Sequence, residues 1–334
     1  MAGEAIQLVW LAVIAFAIFM YVLLDGFVLG CGILFPFAPS DADRDTMTSS
    51  VAPIWDGNET WLVLGGVGLF AAYPLVYAVV LPALYLPFTI MLLGLIFRGV
   101  AFEFRFKART SRKWWDRAFQ WGSFAAAFAQ GIVLGAFVQG FDIEDGRYVG
   151  GLFDWLTPFC VVTGLSLAAG YALLGGTWLI IKAPGALEQW ARRVSVRLLA
   201  AVLLGIAAIS VWVPQMESRI AARWFSLPNF YVLSQVPLAT VVCGYLHWRA
   251  TRGRAVVAPF LLTMALFTLG YAGLAISLWP NLIPHAVPYW EAAGSASSQW
   301  FMLIGVMVAM PAVIVYTAYS YYVFRGKVTE PLHY

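Results

Sequence analysis

The feature that most constrains this chain is a series of apolar runs, each long enough to cross a lipid bilayer. Residues 6–37 are interrupted only by Gln7 and Asp25, and about 20 apolar residues suffice for one membrane-spanning helix. In the whole chain 62% of residues are apolar and 11% are charged, whereas a soluble domain carries about 25% charged residues. The sequence therefore predicts an integral membrane protein with no sizeable soluble domain.

The continuity of the apolar runs predicts membrane helices rather than a β-barrel. Only helices and closed barrels satisfy backbone polar groups inside lipid, and continuous apolar runs favour helices over the short alternating segments of a barrel. We predict a single all-helical membrane domain over residues 1–334, with a retained first span and a tight turn at residues 73–74. The nine predicted spans are residues 6–35, 54–73, 75–98, 118–139, 155–181, 195–215, 228–248, 256–279 and 300–324.

The basic residues indicate how the spans are oriented. If the N-terminus lies outside, 17 of the 20 Lys and Arg fall in segments on the cytoplasmic side. Cytoplasmic loops of membrane proteins carry such an excess. We therefore expect the N-terminus outside and the C-terminus in the cytoplasm. No cluster of basic and aromatic residues suggests a nucleic-acid partner.

Three acids fall in the predicted spans or at their ends, and all three belong to the cytoplasmic half of the membrane. Acids at membrane depth are costly and face protein or water. Asp25 lies in span 1, Asp56 opens span 2, and Glu59 follows three residues later, on the same helix face as Asp56. These are candidates for a proton-uptake route. Alternatively, Asp56 is a first-turn acid favoured by the helix dipole, and Asp25 is a hydrogen-bonded acid that ties helices together.

Other polar and small residues have simpler expected roles. Arg98 lies at the end of span 3, where it would either anchor the helix at the interface or pair with an acid. Glu103 follows it in the same basic segment. Gly26 and Gly30 have the spacing of close helix packing.

The histidines argue against a haem in this chain. His247 lies at the cytoplasmic end of span 7, His285 in an outer loop and His333 in the tail. A haem-carrying bundle needs axial ligands at membrane depth, so we expect this chain alone to ligate no haem. No metal-binding His/Cys cluster is evident either, and we predict no metal site.

Several longer strings resemble one known family. They are DGFVLG at residues 25–30, SVAPIWDGNETWL at 50–62, GLFAAYP at 68–74 and FRGVAFEFR at 97–105, followed more loosely by WEAA at 290–293 and SSQ at 297–299. The set resembles subunit II of the cytochrome bd-type quinol oxidases and is compatible with the cyanide-insensitive type of that family.

The resemblance implies a fold and a set of partners. The family fold has nine spans in two four-helix bundles plus one additional helix, in a bacterial cytoplasmic (inner) membrane. Haem b and haem d, or a variant set, belong to subunit I, and the complex takes quinol and O₂ as substrates. The family also leaves room for a small single-span subunit and for a quinone or lipid bound in this chain.

The resemblance also implies roles for residues. Asp56 corresponds to an acid of the cytoplasmic proton route, and Trp61 corresponds to a residue of an oxygen-access channel. Trp55 and Asn58, within the same string, are expected to be structural or interfacial. Many relatives carry a second acid where this chain has Val28, which shifts the proton-route prediction to Asp25, Asp56 and Glu59.

Two alternatives remain open at this point. One is an ion-coupled secondary transporter that uses Asp25 and Asp56, although no paired broken helices and no acid at the membrane midplane in the second half support it. The other is an assembly subunit whose acids only tie helices together.

Overall fold

The computed structural model describes residues 2–108 and 110–328, so the prediction for His333 lies outside the described residues. The fold is all-helical, as predicted, apart from two small hairpins. Its elements, in chain order, are α1 (Ala2–Leu34), a 3₁₀ turn (Phe35–Phe37), α2 (Asp41–Val51), α3 (Trp55–Ala72), α4 (Pro74–Ala83), α5 (Tyr85–Arg105), α6 (Arg112–Gln139), β1 (Ile143–Glu144), β2 (Arg147–Tyr148), α7 (Pro158–Lys182), α8 (Gly185–Met216), α9 (Ser218–Phe225), α10 (Asn229–Leu233), α11 (Gln235–Arg252), α12 (Ala258–Leu278), β3 (Asn281–Ile283), β4 (Val287–Pro288), α13 (Tyr289–Ala292) and α14 (Ala296–Val323).

Helix α1 lies at the centre of the packing. It contacts α3, α6 and α7, while α5 packs on α6 and α8 packs on α7. The pair α11–α12 packs against α8 and α7, and α14 lies against α1 and α3. The largest buried apolar cluster runs across α1, α5, α6 and α7. The buried polar residues Asp25 and Arg98 lie on two of these helices, α1 and α5.

The close contact between α1 and α7 depends on glycine. Gly30 of α1 faces Gly175 of α7, and a Cβ at Gly30 would overlap the carbonyl oxygen of Tyr171. Gly26, one turn earlier, faces the ring of Tyr171, where a Cβ would approach to 2.8 Å. Small residues let helix backbones approach closely in membranes. The two helices run parallel, since residues 26 and 30 meet residues 171 and 175.

The two ends of the described chain lie at opposite ends of the bundle. Near the start of α1, the Tyr73 hydroxyl donates to the carbonyl of Gln7 at 2.6 Å. At the other end, Lys182 donates to the carbonyl of Gly326 at 3.1 Å, and the Val328 amide donates to the carbonyl of Lys182 at 2.9 Å. The segment that follows α14 is thereby fastened to the turn between α7 and α8.

The third predicted span, 75–98, is wrong in its position. The chain breaks at Leu84, so that α4 is a ten-residue helix and α5 runs on to Arg105. Pro87 explains the break, because it lacks the N–H that would bond the carbonyl of Ala83. Helix α4 is bent by 118° from α3. Eight helices in the described part of the chain are long and apolar enough to cross a membrane, and the bent α3–α4 pair would make a ninth.

The sixth predicted span also begins too late. Helix α8 starts at Gly185, ten residues before the predicted start at 195. Its first turns carry Arg192 and Arg193, which hydropathy assigns to a loop. The helix therefore extends beyond the apolar segment.

Candidate functional site

Three helices bring one arginine and two carboxylates together inside the bundle. Asp25 lies on α1, Glu59 on α3 and Arg98 on α5. Arg98 Nη1 donates to Asp25 Oδ1 at 2.7 Å, and neither side chain has exposed surface. Arg98 Nη2 donates to Glu59 Oε1, and the Glu59 side chain keeps 29% of its surface exposed. Arg98 therefore bridges a carboxylate sealed in the core and one that reaches the surface of the chain.

The charges in this cluster do not balance, because two carboxylates face one guanidinium. A charge in a membrane interior is costly unless it is paired. With both acids ionised, the cluster holds one negative charge in excess, and uptake of one proton removes it. Asp25 Oδ2 is buried and accepts no hydrogen bond from the described residues. The arrangement can thus hold and release a proton.

A hydrogen-bonded row of side chains lies beside Asp25. Tyr21 is one helical turn before it on the same face of α1. Gln130 of α6 donates from Nε2 to the Tyr21 hydroxyl at 2.8 Å, and its Oε1 accepts from the Tyr171 hydroxyl of α7 at 2.8 Å. The row extends the polar interior from α1 to α6 and α7. Our sequence reasoning missed these residues, although Gln130 is the only strongly polar residue between 124 and 138.

Trp55 and Asn58 hold the start of α3 in place. The Trp55 ring stacks on Phe102 with centroids 5.2 Å apart, and the Arg98 guanidinium lies 5.6 Å from the Trp55 ring centroid. Asn58 is buried; it donates to the carbonyl of Leu24 at 2.9 Å and accepts from the Tyr321 hydroxyl at 3.0 Å. Asn58 therefore joins α3 to α1 and α14, next to the charged cluster.

Of the remaining predicted residues, two are exposed and one is buried. Asp56, in the first turn of α3, and Glu103, on α5, are exposed in this chain. Trp61 is fully buried, with its ring edge-on to Phe16 at 5.7 Å, and its indole N–H donates to none of the described residues. The structure thus brings Asp25 and Glu59 together around Arg98, and Asp56 lies one helical turn from Glu59 without forming an ion pair with Arg98.

Arg98 corrects one expectation. Of the two expected roles, the anchor at a helix end is wrong, because Arg98 is fully buried and forms the centre of the cluster. The physical reason is the position of α5, which continues for two turns beyond Arg98. The alternative expectation, pairing with an acid, describes what is observed.

Both histidines in the described part of the chain, His247 and His285, have polar partners. No group of three or more His, Cys, Asp or Glu residues in the described ranges could hold a metal ion. Both ring nitrogens of His247 lie near threonine hydroxyls, Thr263 at 3.0 Å and Thr251 at 3.3 Å. His285 contacts the Glu217 carboxylate at 3.4 Å through Nδ1, and its Nε2 lies 3.1 Å from the carbonyl of Val138.

Comparison with known proteins gives consistent matches over almost the full length. The family model described as cytochrome bd terminal oxidase subunit II matches residues 6–324. The chain is 26% identical to cytochrome bd-I ubiquinol oxidase subunit 2 of Escherichia coli K12, over 98% of this chain and 96% of the relative. It is 29% identical to cytochrome bd ubiquinol oxidase subunit 2 of Bacillus subtilis, over 97% and 98%.

One solved structure shares the fold. A chain of the bd oxidase from Geobacillus thermodenitrificans superposes with a TM-score of 0.76 at 16% identity, covering 96% of this chain and 97% of that one.

Proposed function

Since the chain belongs to the cytochrome bd terminal oxidase subunit II family, we propose that it acts as the haem-free partner of a haem-bearing subunit I. The complex would oxidise quinol and reduce O₂ to water in a bacterial cytoplasmic membrane. The partner's haems would supply the electron transfer and the dioxygen chemistry. The full-length similarity to bacterial ubiquinol oxidase subunits supports this assignment.

The contribution proposed for this chain is proton uptake from the cytoplasm. The observation that carries it is the buried Asp25–Arg98–Glu59 cluster, which reaches the surface only through the partly exposed Glu59. Polar groups at membrane depth mark ion or proton routes by default. Asp56, exposed one turn before Glu59, would collect protons, and Glu59 and Asp25 would pass them inward. Because Arg98 pairs with both acids, protonation of Asp25 or of Glu59 leaves the other, still ionised carboxylate paired with Arg98.

Oxygen access is the second proposed contribution. Trp61 lies in a buried apolar cluster between α1 and α14, with Ala17, Tyr21 and Met310 among its members. Such surroundings admit an apolar gas more readily than a charged solute. Trp61 would line this route, three residues beyond Asn58 on the same helix.

The assignment can be tested with the full chain expressed alone and with a candidate subunit I. Reduced-minus-oxidised spectra of the purified proteins report bound haem. We expect haem signals and quinol-dependent O₂ consumption only when both chains are present. Stoichiometric haem in the chain alone would contradict the proposal, as would substrate transport by the chain alone in vesicles, which the transporter alternative requires.

A further inference from the structure

Two arginines, Arg219 and Arg223, have no acidic partner in the described part of the chain. They lie on the side of the bundle that carries few basic residues. Arg219 and Arg223 lie on α9, a short helix between α8 and α10. Arg219 Nη1 donates to the carbonyl of His285 at 3.1 Å, and Arg223 Nη1 donates to the carbonyl of Ile276 at 2.7 Å. The carbonyl oxygens fix the directions of the guanidinium groups but leave their charges uncompensated.

Glu217, two residues before Arg219, forms no ion pair with either arginine and is engaged elsewhere. Glu217 accepts from the Arg219 backbone amide at 3.1 Å, and its other oxygen lies 3.4 Å from the His285 ring. Among the described residues, no carboxylate oxygen lies within 4.0 Å of the guanidinium nitrogens of Arg219 or Arg223. Guanidinium groups match phosphate geometry well because they present several donors in one plane. This part of the surface therefore favours an anionic ligand with phosphate chemistry.

The two arginines line a small polar chamber of about 60 Å³. Ser277, Asn281 and His285 contribute to the same chamber. A water-sized group needs about 10–15 Å³ of such volume, so the chamber has room for roughly four of them, comparable to a phosphate group. Its polar lining and the excess positive charge suit a phosphate diester.

A larger, shallow and more apolar groove, largely open to the surroundings, adjoins the chamber. Its volume is about 630 Å³, and Val232, Leu233 and Ile276 are among the residues that line it. Arg223 and Trp279 line both cavities. Trp279 directly follows the end of α12, where aromatic residues commonly mark the membrane–water boundary. A cationic chamber at the boundary thus continues into an apolar groove.

The geometry points to a phospholipid site, in which Arg219 and Arg223 hold the phosphate and the groove holds an acyl chain. A quinone headgroup is neutral and would leave both guanidinium charges uncompensated. Free inorganic phosphate would leave the apolar groove unoccupied. The bound lipid bridges α9 and α10 to the end of α12 and fills the two adjoining cavities between them.

The test uses the complete complex with subunit I, purified in detergent and washed exhaustively. Phospholipid retained per complex is counted by mass spectrometry of the extracted lipids. The melting temperature is recorded with added phosphatidylglycerol and, separately, with added inorganic phosphate. The double variant Arg219→Gln/Arg223→Gln is expected to retain one phospholipid fewer and to lose the rise in melting temperature with phosphatidylglycerol. The matched control Arg147→Gln, which removes the third cation on this side, is expected to behave as wild type.

A second variant separates lipid loss from misfolding, because Arg223 also binds backbone carbonyls. Val232→Glu leaves both arginines in place and introduces a negative charge into the groove, at a side chain that is 70% exposed. It is expected to lose the same phospholipid. Wild-type lipid retention in either variant would contradict the proposal, and so would a rise in melting temperature that inorganic phosphate alone reproduces.

Discussion

Arg98 and Asp25 form an ion pair with a distance of 2.7 Å in which neither side chain has exposed surface. The pair joins α5 to α1, the helix on which most of the bundle packs. A buried ion pair of this kind costs desolvation energy, so it contributes little net stability while both partners are present. Loss of Arg98 has a larger effect, because Asp25 would then be buried and charged without a cation.

Replacing Arg98 is therefore expected to destabilise the protein strongly. Breaking a buried pair by removing one partner costs about 3–5 kcal/mol, and Arg98→Gln would leave both Asp25 and Glu59 without a cation. Thermal unfolding of the purified complex measures the effect. Glu103→Gln is the control, since it removes a charge from an exposed position on the same helix. Equal melting temperatures for the two variants would show that the pairing is not maintained.

The glycine contact between α1 and α7 predicts a position-specific effect of one methyl group. Gly30→Ala would place a Cβ against the backbone of α7, and overpacking of this kind costs about 1–3 kcal/mol. Gly270→Ala on α12 has no atom within 4 Å of the added Cβ and should leave the melting temperature unchanged or raise it. A lower melting temperature for Gly270→Ala than for Gly30→Ala would argue against the described packing.

Asp56→Asn is expected to lower quinol oxidase turnover and leave the haem spectra of the complex intact. The decrease should be smaller than the roughly 10²-fold or greater loss typical of an internal proton-transfer group, because Asp56 is exposed in this chain and water can partly replace it. Oxygen consumption at saturating quinol measures the effect, with Asp41→Asn, another exposed acid, as the control. Wild-type turnover would make Asp56 a purely structural residue.

Trp61→Phe tests the proposed oxygen route. The smaller ring leaves more space in the buried cluster around α1, α3 and α14, so kcat/KM for O₂ should rise severalfold while turnover at saturating O₂ stays the same. Trp121→Phe is the control, because that side chain is 60% exposed on α6. If both variants show the same O₂ dependence as wild type, O₂ reaches the partner by another path.

The sequence predicts the helical fold well because each apolar run carries its own signal. It starts the third span too early because Pro87 lies inside an apolar run, where hydropathy gives no sign that the helix breaks at Leu84. It ends the span too early because the charged residues from Arg98 onward look like a loop. This error had a consequence for the site. Placing the helix end at residue 98 puts Arg98 at the interface, whereas the observed end at Arg105 places it about 10 Å deeper at 1.5 Å per residue.

The site was predicted only in part for a related reason. Asp25 and Glu59 stand out because acids are rare in apolar runs. Nothing in the sequence shows that Arg98 contacts both of them, since these contacts join three helices far apart in the chain. Tyr21 and Tyr171 resemble ordinary aromatic residues of a membrane protein until Gln130 is seen to link them.

The most direct test of the account is proton uptake by the Asp25→Asn variant in proteoliposomes. Asparagine can still accept a hydrogen bond from Arg98 but cannot carry the proton, so the complex should assemble with normal haem spectra. A pH-sensitive dye on the cytoplasmic side of the complex reports protons taken up as O₂ is reduced. We expect uptake and turnover to fall together, on the order of 10²-fold, with partial recovery in Asp25→Glu. Proton uptake at the wild-type rate in Asp25→Asn would contradict the central claim.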